Sequence, residues 1–380
     1  MKKVLSLFLT LILTASLFTL FCSAAEFTDE LDCKSAILIE ASTMKVLYEK
    51  NADTAYPPAS VTKIMTALLV FEALDNGSVT LKDKVPVSEN ASKMGGSQVY
   101  LKVGEEMTLD DMLKSVMVSS ANDCAVALAE YISGSETAFV VRMNERAQQL
   151  GMKNTTFENV TGLDDTVKNH LTSARDIAIM SAELMKHEAV FNYTTIWMDT
   201  IRNGAFGLTN TNRLIRFYKG ANGLKTGMTS KAGFCISAAA KRSDMQLIAV
   251  IMGAPSRDIR NAAASKLLDY GFANYGLYRV QSAELAPIKL TGADKNELNI
   301  KHGDFSALLP SSDIRTVTYE TKLPDSVSAP VKKGDEIGSI EFCSNGKPIG
   351  ETPVYAAEDA GKITFSQMFM KLLSEFLLIK

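Results

Sequence analysis

The stretch from Pro57 to Phe71 constrains the fold of this chain more than any other. Pro57 and Pro58 favour an extended backbone and then permit a helix to start, because proline lacks the N–H group that a first helical turn leaves unpaired. Apolar residues follow at helical spacing, namely Ile64, Met65, Ala67, Leu68, Leu69 and Phe71. The stretch therefore predicts a buried helix that begins at or near Ser60.

Ser60 and Lys63 share one face of this predicted helix, because residues at positions i and i+3 are neighbours on a helix surface. The backbone N–H groups and the positive dipole end of the helix lie beside the Ser60 hydroxyl. Such surroundings suit a nucleophilic serine and an amine that activates it. An exposed serine and lysine at this spacing are also common, so the rest of the chain has to decide between the two interpretations.

The N-terminus has the pattern of a secretory signal peptide, which we place at residues 1–25. Two lysines form its positive region, an apolar segment runs from Leu5 to Phe21, and small residues precede Glu26. A retained transmembrane anchor is the alternative interpretation. Either one predicts that the rest of the chain works outside the cytoplasmic membrane.

The composition is that of a globular protein with no expected cofactor. With 380 residues, 46% of them hydrophobic and 22% charged, the chain is long enough for two domains. Its formal net charge of −3 gives no basic surface to suggest a nucleic-acid partner. The cysteines lack metal-ligand spacing, and a disulfide stays open among the four beyond the signal peptide. These four are Cys33, Cys124, Cys235 and Cys343.

The segment after the signal peptide predicts an α+β domain at residues 26–276. A β-hairpin at 36–49 comes first, and the proline-led helix and a loop-rich stretch at 82–106 follow. Next come helices at 111–118, 124–132, 136–150 and 174–187, strands at 200–202, 223–227, 233–238 and 246–252, and a last helix at 259–270. This order predicts an antiparallel sheet that is covered by helices and takes strands from both ends of the domain.

The sequence changes character near Leu277, where short alternating runs replace long helical patterns. We assign residues 277–358 to a small all-β domain. The remaining residues, 359–380, end in an amphipathic helix from Ile363 to Lys380 with one polar and one apolar face. Its length and polar stripe favour a helix that lies in a membrane interface, and packing on the protein's own body is the alternative.

Three short motifs are candidates for one catalytic site. They are Ser60-Val61-Thr62-Lys63, Ser120-Ala121-Asn122 and Lys225-Thr226-Gly227, and their first residues are separated by 60 and 105 positions. Each alone has a structural interpretation, because the second motif can cap a helix and the third can end a strand in a turn. Together and in this order they form the pattern of serine acyl-transferases that use a lysine base.

On these motifs the sequence resembles the low-molecular-mass penicillin-binding proteins of the D-alanyl-D-alanine carboxypeptidase type. Further similar stretches, spread over nearly the whole chain, are Tyr56–Ser60, Asn122–Glu130, Thr172–Asp176, Asn222–Gly227 and Ala329–Gly334. The resemblance implies a β-lactamase/transpeptidase-like fold with a helical cluster, followed by the small β domain and the tail helix. It also implies removal of the terminal D-alanine from peptidoglycan pentapeptides, inhibition by β-lactams, and a place on the cell-wall side of the cytoplasmic membrane.

The resemblance further implies roles for four residues of the first two motifs. Ser60 would attack the carbonyl between the two terminal D-alanines to form an acyl-enzyme, with Lys63 as the general base. Lys63 must then be neutral for part of the time, and burial together with a nearby Lys225 ammonium would lower its pKa. Ser120 would relay the proton to the departing D-alanine nitrogen, and Asn122 would position Lys63 or the substrate amide.

The strand motif receives substrate-binding roles from the same resemblance. Lys225 and Thr226 would hold the terminal carboxylate, and Gly227 would let the substrate backbone approach the strand edge. The backbone N–H groups of Ser60 and Met228 would form the oxyanion hole. Met228 stands where some relatives carry a polar side chain, which leaves substrate preference and pH response open.

Other functions stay open on the sequence alone. A Ser-His-Asp triad would have to use His170, which lies outside any nucleophile-elbow pattern, so a lysine base fits better. A β-lactamase of class A needs a loop glutamate in a Glu-x-x-x-Asn pattern, which Glu158-Asn159 does not fit. Endopeptidase or transpeptidase activity and a non-catalytic penicillin-binding sensor are further alternatives. Arg257 is a weaker candidate for carboxylate binding, based only on its place after the fourth predicted strand.

Overall fold

The computed structural model describes residues 27–376, which divide into two compact units. The first unit is Phe27–Ala273, and the second holds the described residues from Asn274 onward. The predicted signal peptide at 1–25 and the end of the predicted tail helix, 377–380, lie outside the described residues.

An antiparallel sheet of five strands forms the middle of the first unit. The strands of this unit are β1 (Ser35–Glu40), β2 (Val46–Lys50), β3 (Lys84–Pro86), β4 (Glu106–Thr108), β5 (Met198–Ile201), β6 (Phe206–Thr209), β7 (Ala221–Thr229), β8 (Gly233–Arg242) and β9 (Met245–Ala254). The central sheet has the order β2-β1-β9-β8-β7, and β3-β4 and β5-β6 form separate pairs. The predicted hairpin and the sheet with strands from both ends of the domain are confirmed.

Helices cover both faces of this sheet. They are α1 (Lys63–Asp75), α2 (Glu89–Ser92), α3 (Leu109–Val118), α4 (Asn122–Ser133), α5 (Glu136–Gln149), α6 (Ala174–Leu184), α7 (Phe191–Thr194), α8 (Leu214–Phe217) and α9 (Arg257–Asn274). Ile37 of β1 packs in the core that contains α1, while Gly271 of α9 lies against Leu38, because successive strand residues face opposite sides. Full burial on both faces explains why β1, β8 and β9 are apolar over most of their length.

The central helix α1 starts later than the sequence predicts. A 3-10 turn, Ala59–Thr62, comes first, and the α-helix begins at Lys63. Ala59 has a φ of 51°, a left-handed value outside the right-handed helical region, so the regular helix cannot extend back through Ala59. Ten of the 13 residues of α1 are buried, and a helix that is buried almost all round must lie in the middle of its domain.

Capping residues set the other helix boundaries. The Thr108 side chain accepts a hydrogen bond from the Asp111 N–H at 3.1 Å, and Ser173 does the same for Asp176 at 3.1 Å. Gly134 ends α4 with a φ of 78°. These starts and stops agree with the predictions, whereas the short elements α2 and β6 were not predicted and α6 ends at Leu184, before the predicted end at 187.

The second unit is built mainly of strands, as predicted. They are β10 (Tyr275–Val280), β11 (Ile288–Thr291), β12 (Glu297–Leu298), β13 (Ile300–His302), β14 (Phe305–Pro310), β15 (Val317–Lys322), β16 (Ser326–Ser328), β17 (Glu336–Ser344) and β18 (Lys347–Ala356). They form sheets of the order β13-β18-β17-β15, β12-β11-β16 and β10-β14. Phe305 and Phe342 stack at 4.1 Å between ring centroids in the core of this unit.

A helix, α10 (Phe365–Phe376), follows the last strand. Its apolar side chains are exposed, from 38% at Leu373 to 88% at Phe365. Within residues 27–376, no single helix is long and apolar enough to cross a membrane. The pair α4 and α5 meets that test of length and composition only when taken together, with a bend of 84°.

Candidate active site

Ser60 and Lys63 are in direct contact, as their spacing predicts. Ser60 lies in the 3-10 turn and is partly exposed, whereas Lys63 is the first residue of α1 and is fully buried. Lys63 Nζ lies 3.0 Å from Ser60 Oγ. The shift of the helix start by one turn therefore leaves the predicted pairing of hydroxyl and amine intact.

The Lys63 amine is held by neutral oxygen atoms. Besides the serine hydroxyl, Nζ contacts Asn122 Oδ1 at 2.5 Å and the backbone carbonyl of Thr161 at 2.8 Å. Burial lowers the pKa of Lys63 well below its ordinary value, the charge of Lys225 lowers it further, and Asp123 acts in the opposite direction. These surroundings favour a neutral amine, which is the form that accepts a proton.

Ser120 and Asn122 lie at the tight turn between α3 and α4. Ser120 has a φ of 67°, and its buried Oγ has no hydrogen-bond partner among the described residues. Asn122 donates from Nδ2 to the Gly95 carbonyl at 2.7 Å, which turns Oδ1 toward Lys63. An unpaired buried hydroxyl costs free energy, and a substrate group that reaches Ser120 Oγ would supply the missing partner.

The third motif lies in β7, an edge strand of the central sheet. Lys225 is buried and donates to the Thr226 carbonyl at 3.0 Å, and no acidic residue of the described chain contributes to the shift of its pKa. Burial and then the charge of Arg260 lower the pKa of Lys225 to about 7. The Thr226 hydroxyl donates to Thr211 Oγ1 at 2.8 Å. Cationic groups without an acidic partner are suited to an anionic ligand such as a carboxylate.

Gly227 lies against the Ser60 turn. A Cβ atom at Gly227 would come within 2.7 Å of the Pro58 carbonyl oxygen and 2.9 Å of the Ser60 backbone nitrogen. The sequence predicts that this glycine admits the substrate backbone. The structure shows that it also admits the turn that carries Ser60. Met228, the next residue, is 59% exposed.

Sequence reasoning missed Arg260 and selected its neighbour Arg257. Arg257 is 53% exposed in its side chain, whereas Arg260 is buried, donates to the Cys235 carbonyl at 3.3 Å, and has its pKa lowered to about 10 by burial. The spacing of apolar residues in the helix could have indicated that Arg260 is buried. Arg260 lies on the same face of α9 as the buried residues Ala263, Ala264 and Leu267.

The loop at 158–163 also escaped prediction, because its contact with the site is made by a backbone carbonyl. Thr161 supplies that carbonyl to Lys63, and no side-chain pattern marks it. His170 lies beside this loop, but its Nε2 is 2.7 Å from Thr62 Oγ1, and its Nδ1 accepts the Glu158 N–H at 3.0 Å. Both ring nitrogens are thus occupied by partners other than Ser60, which argues against a Ser-His-Asp triad.

Cysteines and metal ligands contribute nothing further to the site. The four cysteines of the described chain are free thiols. Within residues 27–376, no group of three or more His, Cys, Asp or Glu side chains could hold a metal ion.

Two family models match the chain. The model described as D-alanyl-D-alanine carboxypeptidase matches residues 22–256, and the model for the C-terminal domain of penicillin-binding protein 5 matches residues 281–362. The chain belongs to the D-alanyl-D-alanine carboxypeptidase family. It is 43% identical to the D-alanyl-D-alanine carboxypeptidase DacF of Bacillus subtilis, with 97% of this chain and 98% of the relative covered. It is 34% identical to DacC of Escherichia coli, with 88% and 87% covered.

Solved structures give the same result for the fold of this D-alanyl-D-alanine carboxypeptidase family member. Penicillin-binding protein 5 of Haemophilus influenzae matches with a TM-score of 0.78 and 31% identity, over 89% of this chain and all of that structure. PBP3 of Streptococcus pneumoniae matches with a TM-score of 0.73 and 27% identity, over 87% of this chain and 100% of that structure. The predicted α+β fold with a β-rich C-terminal domain and terminal helix is confirmed.

The activity of the chain follows from its membership of this family. The chain is a serine-type D-Ala-D-Ala carboxypeptidase, a hydrolase that acts on peptidoglycan and so works on the cell-wall side. An acyl-enzyme intermediate and inhibition by β-lactams are typical of this family.

Proposed function

We propose that Ser60 is the nucleophile of this carboxypeptidase and that neutral Lys63 is its general base. The observation that carries the proposal is the set of three contacts around Lys63 Nζ. Two of these partners, Asn122 Oδ1 and the Thr161 carbonyl, can only accept hydrogen bonds. They occupy both N–H groups of a neutral amine, so its lone pair points to the remaining partner, the Ser60 hydroxyl 3.0 Å away.

Proton transfer from Ser60 to Lys63 lets Ser60 Oγ attack the carbonyl between the two terminal D-alanines. The buried Ser120 hydroxyl, which lacks a partner in the described chain, then donates its proton to the departing D-alanine nitrogen and receives the proton that Lys63 holds. Asn122 keeps the amine oriented through both steps. Lys63 then takes a proton from the water that attacks the ester and returns it to Ser60 Oγ as the ester bond breaks.

Substrate binding involves β7. Lys225 and Thr226 bind the terminal carboxylate of the pentapeptide, and Arg260 adds positive charge behind them. The backbone N–H groups of Ser60 and Met228 bind the oxyanion, and the close packing at Gly227 supports that placement by bringing the strand against the Ser60 turn. The exposed Met228 side chain contacts the substrate beyond the reacting carbonyl.

A related endopeptidase reaction is the second candidate. The D-alanyl-D-alanine endopeptidase of Pseudomonas aeruginosa is 34% identical over 213 residues, which is 54% of this chain and 66% of that relative. The carboxypeptidases DacF and DacC match along most of this chain, which favours the carboxypeptidase.

We propose the segment boundaries that the sequence predicts, namely a signal peptide at 1–25, a peptidase domain at 26–276, a β-rich domain at 277–358 and a tail at 359–380. The tail attaches the enzyme to the outer face of the cytoplasmic membrane through Ile363–Lys380. Support comes from α10, whose side chains at Phe365, Phe369 and Phe376 are 88%, 56% and 85% exposed.

The nucleophile is tested by mass spectrometry of the purified full-length protein after incubation with benzylpenicillin. Retention of the acyl adduct on the peptide that contains Ser60, and its absence from a Ser60→Ala variant, is the expected result. An adduct on any other residue, or none in the native protein, would contradict the assignment.

A further inference from the structure

A chain of buried hydrogen bonds runs behind the catalytic pair and passes through His170. The imidazole is 2% exposed. Its Nδ1 lies 3.0 Å from the backbone nitrogen of Glu158, and because a backbone N–H can only donate, Nδ1 accepts and the ring proton is on Nε2. Nε2 then donates to Thr62 Oγ1 at 2.7 Å, and the Thr62 hydroxyl donates to the Ala59 carbonyl at 2.9 Å.

One end of this chain of bonds holds the backbone immediately before the nucleophile. Ala59 has a φ of 51°, which costs free energy for a residue with a side chain and persists only when surrounding contacts hold it. The bond from Thr62 to the Ala59 carbonyl closes the turn that contains Ser60. Thr62 is also the last residue before the helix that begins with Lys63.

The other end holds the loop that supplies an acceptor to Lys63. Glu158 starts this loop, and the Asn159 side chain accepts the N–H groups of Thr161 at 3.1 Å and Gly162 at 2.7 Å. Gly162 lies directly on the turn, since a Cβ there would come within 1.8 Å of the Ala59 carbonyl oxygen. The Thr161 carbonyl therefore reaches Lys63 only while loop and turn stay together.

We propose that His170 and Thr62 are positioning residues that fix the Ser60 turn against the 158–163 loop, so that the lone pair of Lys63 points at Ser60. This inference rests on the proposed roles of Ser60 and Lys63, and it assigns a role to Thr62, inside the first motif, and to His170, which lies outside all three motifs. A neutral imidazole with one acceptor and one donor nitrogen is suited to join a backbone N–H to a hydroxyl.

Burial, rather than the charges nearby, keeps His170 neutral near neutral pH. Burial lowers the pKa of His170 to about 4, the carboxylates of Glu158 and Asp164 act to raise it, and Lys63 acts to lower it. Protonation would turn Nδ1 into a donor that faces the donating Glu158 N–H, and the link would break.

The test compares Thr62→Val, which removes the hydroxyl at nearly constant shape, with Thr62→Ser, which keeps it. Fluorescent penicillin measures the second-order acylation rate constant of the full-length protein against pH. We expect Thr62→Val to lower this constant about 100-fold and Thr62→Ser to retain it within about threefold, because small displacements of reacting groups are costly. Water that enters the loosened site relieves the burial of Lys63, so the rise of acylation with pH should move to higher pH in Thr62→Val.

His170→Asn and His170→Gln separate the two bonds. Asn keeps an acceptor near the position of Nδ1, and Gln keeps a donor near the position of Nε2. The acylation rate constant of each variant is therefore expected to lie between those of the native protein and Thr62→Val. Native acylation constants and pH profiles in Thr62→Val and both His170 variants would overturn the proposal. So would losses that track the melting temperature with an unchanged pH profile. Failure of the native protein to become labelled at Ser60 would instead contradict the proposed function.

Discussion

Gly227 of β7 faces the Ser60 turn so closely that a Cβ atom at position 227 would lie 2.9 Å from the Ser60 backbone nitrogen. The contact joins an edge strand to the proposed nucleophile. It brings together, from distant parts of the sequence, the strand that is proposed to bind the substrate and the N–H group that is proposed to bind the oxyanion. Space at position 227 therefore controls the geometry of the whole site.

Gly227→Ala should weaken acylation even where the protein stays folded. The added methyl group must displace either the Pro58 carbonyl, 2.7 Å away, or the strand itself. We expect the acylation rate constant with fluorescent penicillin to fall at least about tenfold. Gly207→Ala is the matched control, because a Cβ there meets no atom within 4 Å, and it should acylate as the native protein does.

Lys225→Met should move the pH dependence of acylation to higher pH. The charge of Lys225 is the second cause, after burial, of the lowered pKa of Lys63. Neutral Lys63 is the active form in the proposed mechanism, so acylation should rise with pH through the pKa of Lys63. Removal of the Lys225 charge raises that pKa. A pH profile of the acylation rate measures the shift, and Lys241→Met, at an exposed position of β8, should leave the profile unchanged.

Ser120→Ala should separate activity from stability. The native Ser120 hydroxyl is buried and unpaired among the described residues, so its removal is expected to leave the melting temperature unchanged or raise it. D-alanine release should fall at least about tenfold, because proton transfer to the leaving group is lost. Ser115→Ala should instead lower the melting temperature, because the Ser115 hydroxyl donates a hydrogen bond to the Asp111 carbonyl at 2.7 Å. A marked loss of stability in Ser120→Ala would contradict the proposal that this hydroxyl finds its hydrogen-bond partner only in the bound substrate.

Arg260→Gln should weaken binding of substrates that end in a carboxylate, whereas Arg257→Gln should not. Arg260 is buried and its positive charge acts directly on Lys225, so it adds to the positive potential at the proposed carboxylate site, while Arg257 is exposed. We expect kcat/KM for the pentapeptide to fall about tenfold in Arg260→Gln, with little change for an analogue whose terminal carboxylate is amidated. An equal fall in kcat/KM for the pentapeptide and for the amidated analogue would show that Arg260 does not act on the substrate carboxylate.

Replacement of Phe365, Phe369 and Phe376 by Asp should abolish binding to anionic phospholipid vesicles. These side chains are exposed on α10, and insertion of apolar surface is the proposed source of the attachment. Flotation with vesicles measures the bound fraction. Tyr319→Asp, which changes a side chain that is 68% exposed in the β-rich unit, is the control. Vesicle binding by the triple variant at the native level would place the attachment elsewhere.

The sequence allowed the main elements and the motif residues of the site to be predicted because both depend on local patterns. Thr108 and Gly134 marked helix ends through capping chemistry, and alternation or apolar runs marked β1 and β9. The three-residue spacing of Ser60 and Lys63 placed their side chains in contact.

Features that depend on packing between distant segments could not be predicted in this way. The Thr161 carbonyl reaches Lys63 through the backbone, and Ala59 adopts a left-handed conformation that its side chain disfavours. The distinction between Arg257 and Arg260 required the buried face of α9 to be known. The approach of Gly227 to Ser60 joins residues that are far apart in the sequence.

The most direct test of the central claim is D-alanine release from a pentapeptide that ends in D-Ala-D-Ala, measured with the full-length protein and with Ser60→Ala and Lys63→Met. The account predicts release by the native protein, none above background by Ser60→Ala, and a loss of about 100-fold or more in Lys63→Met. Release by Ser60→Ala at the native rate would show that another residue is the nucleophile. No release by a native protein that is still acylated at Ser60 by penicillin would contradict carboxypeptidase activity and favour the endopeptidase.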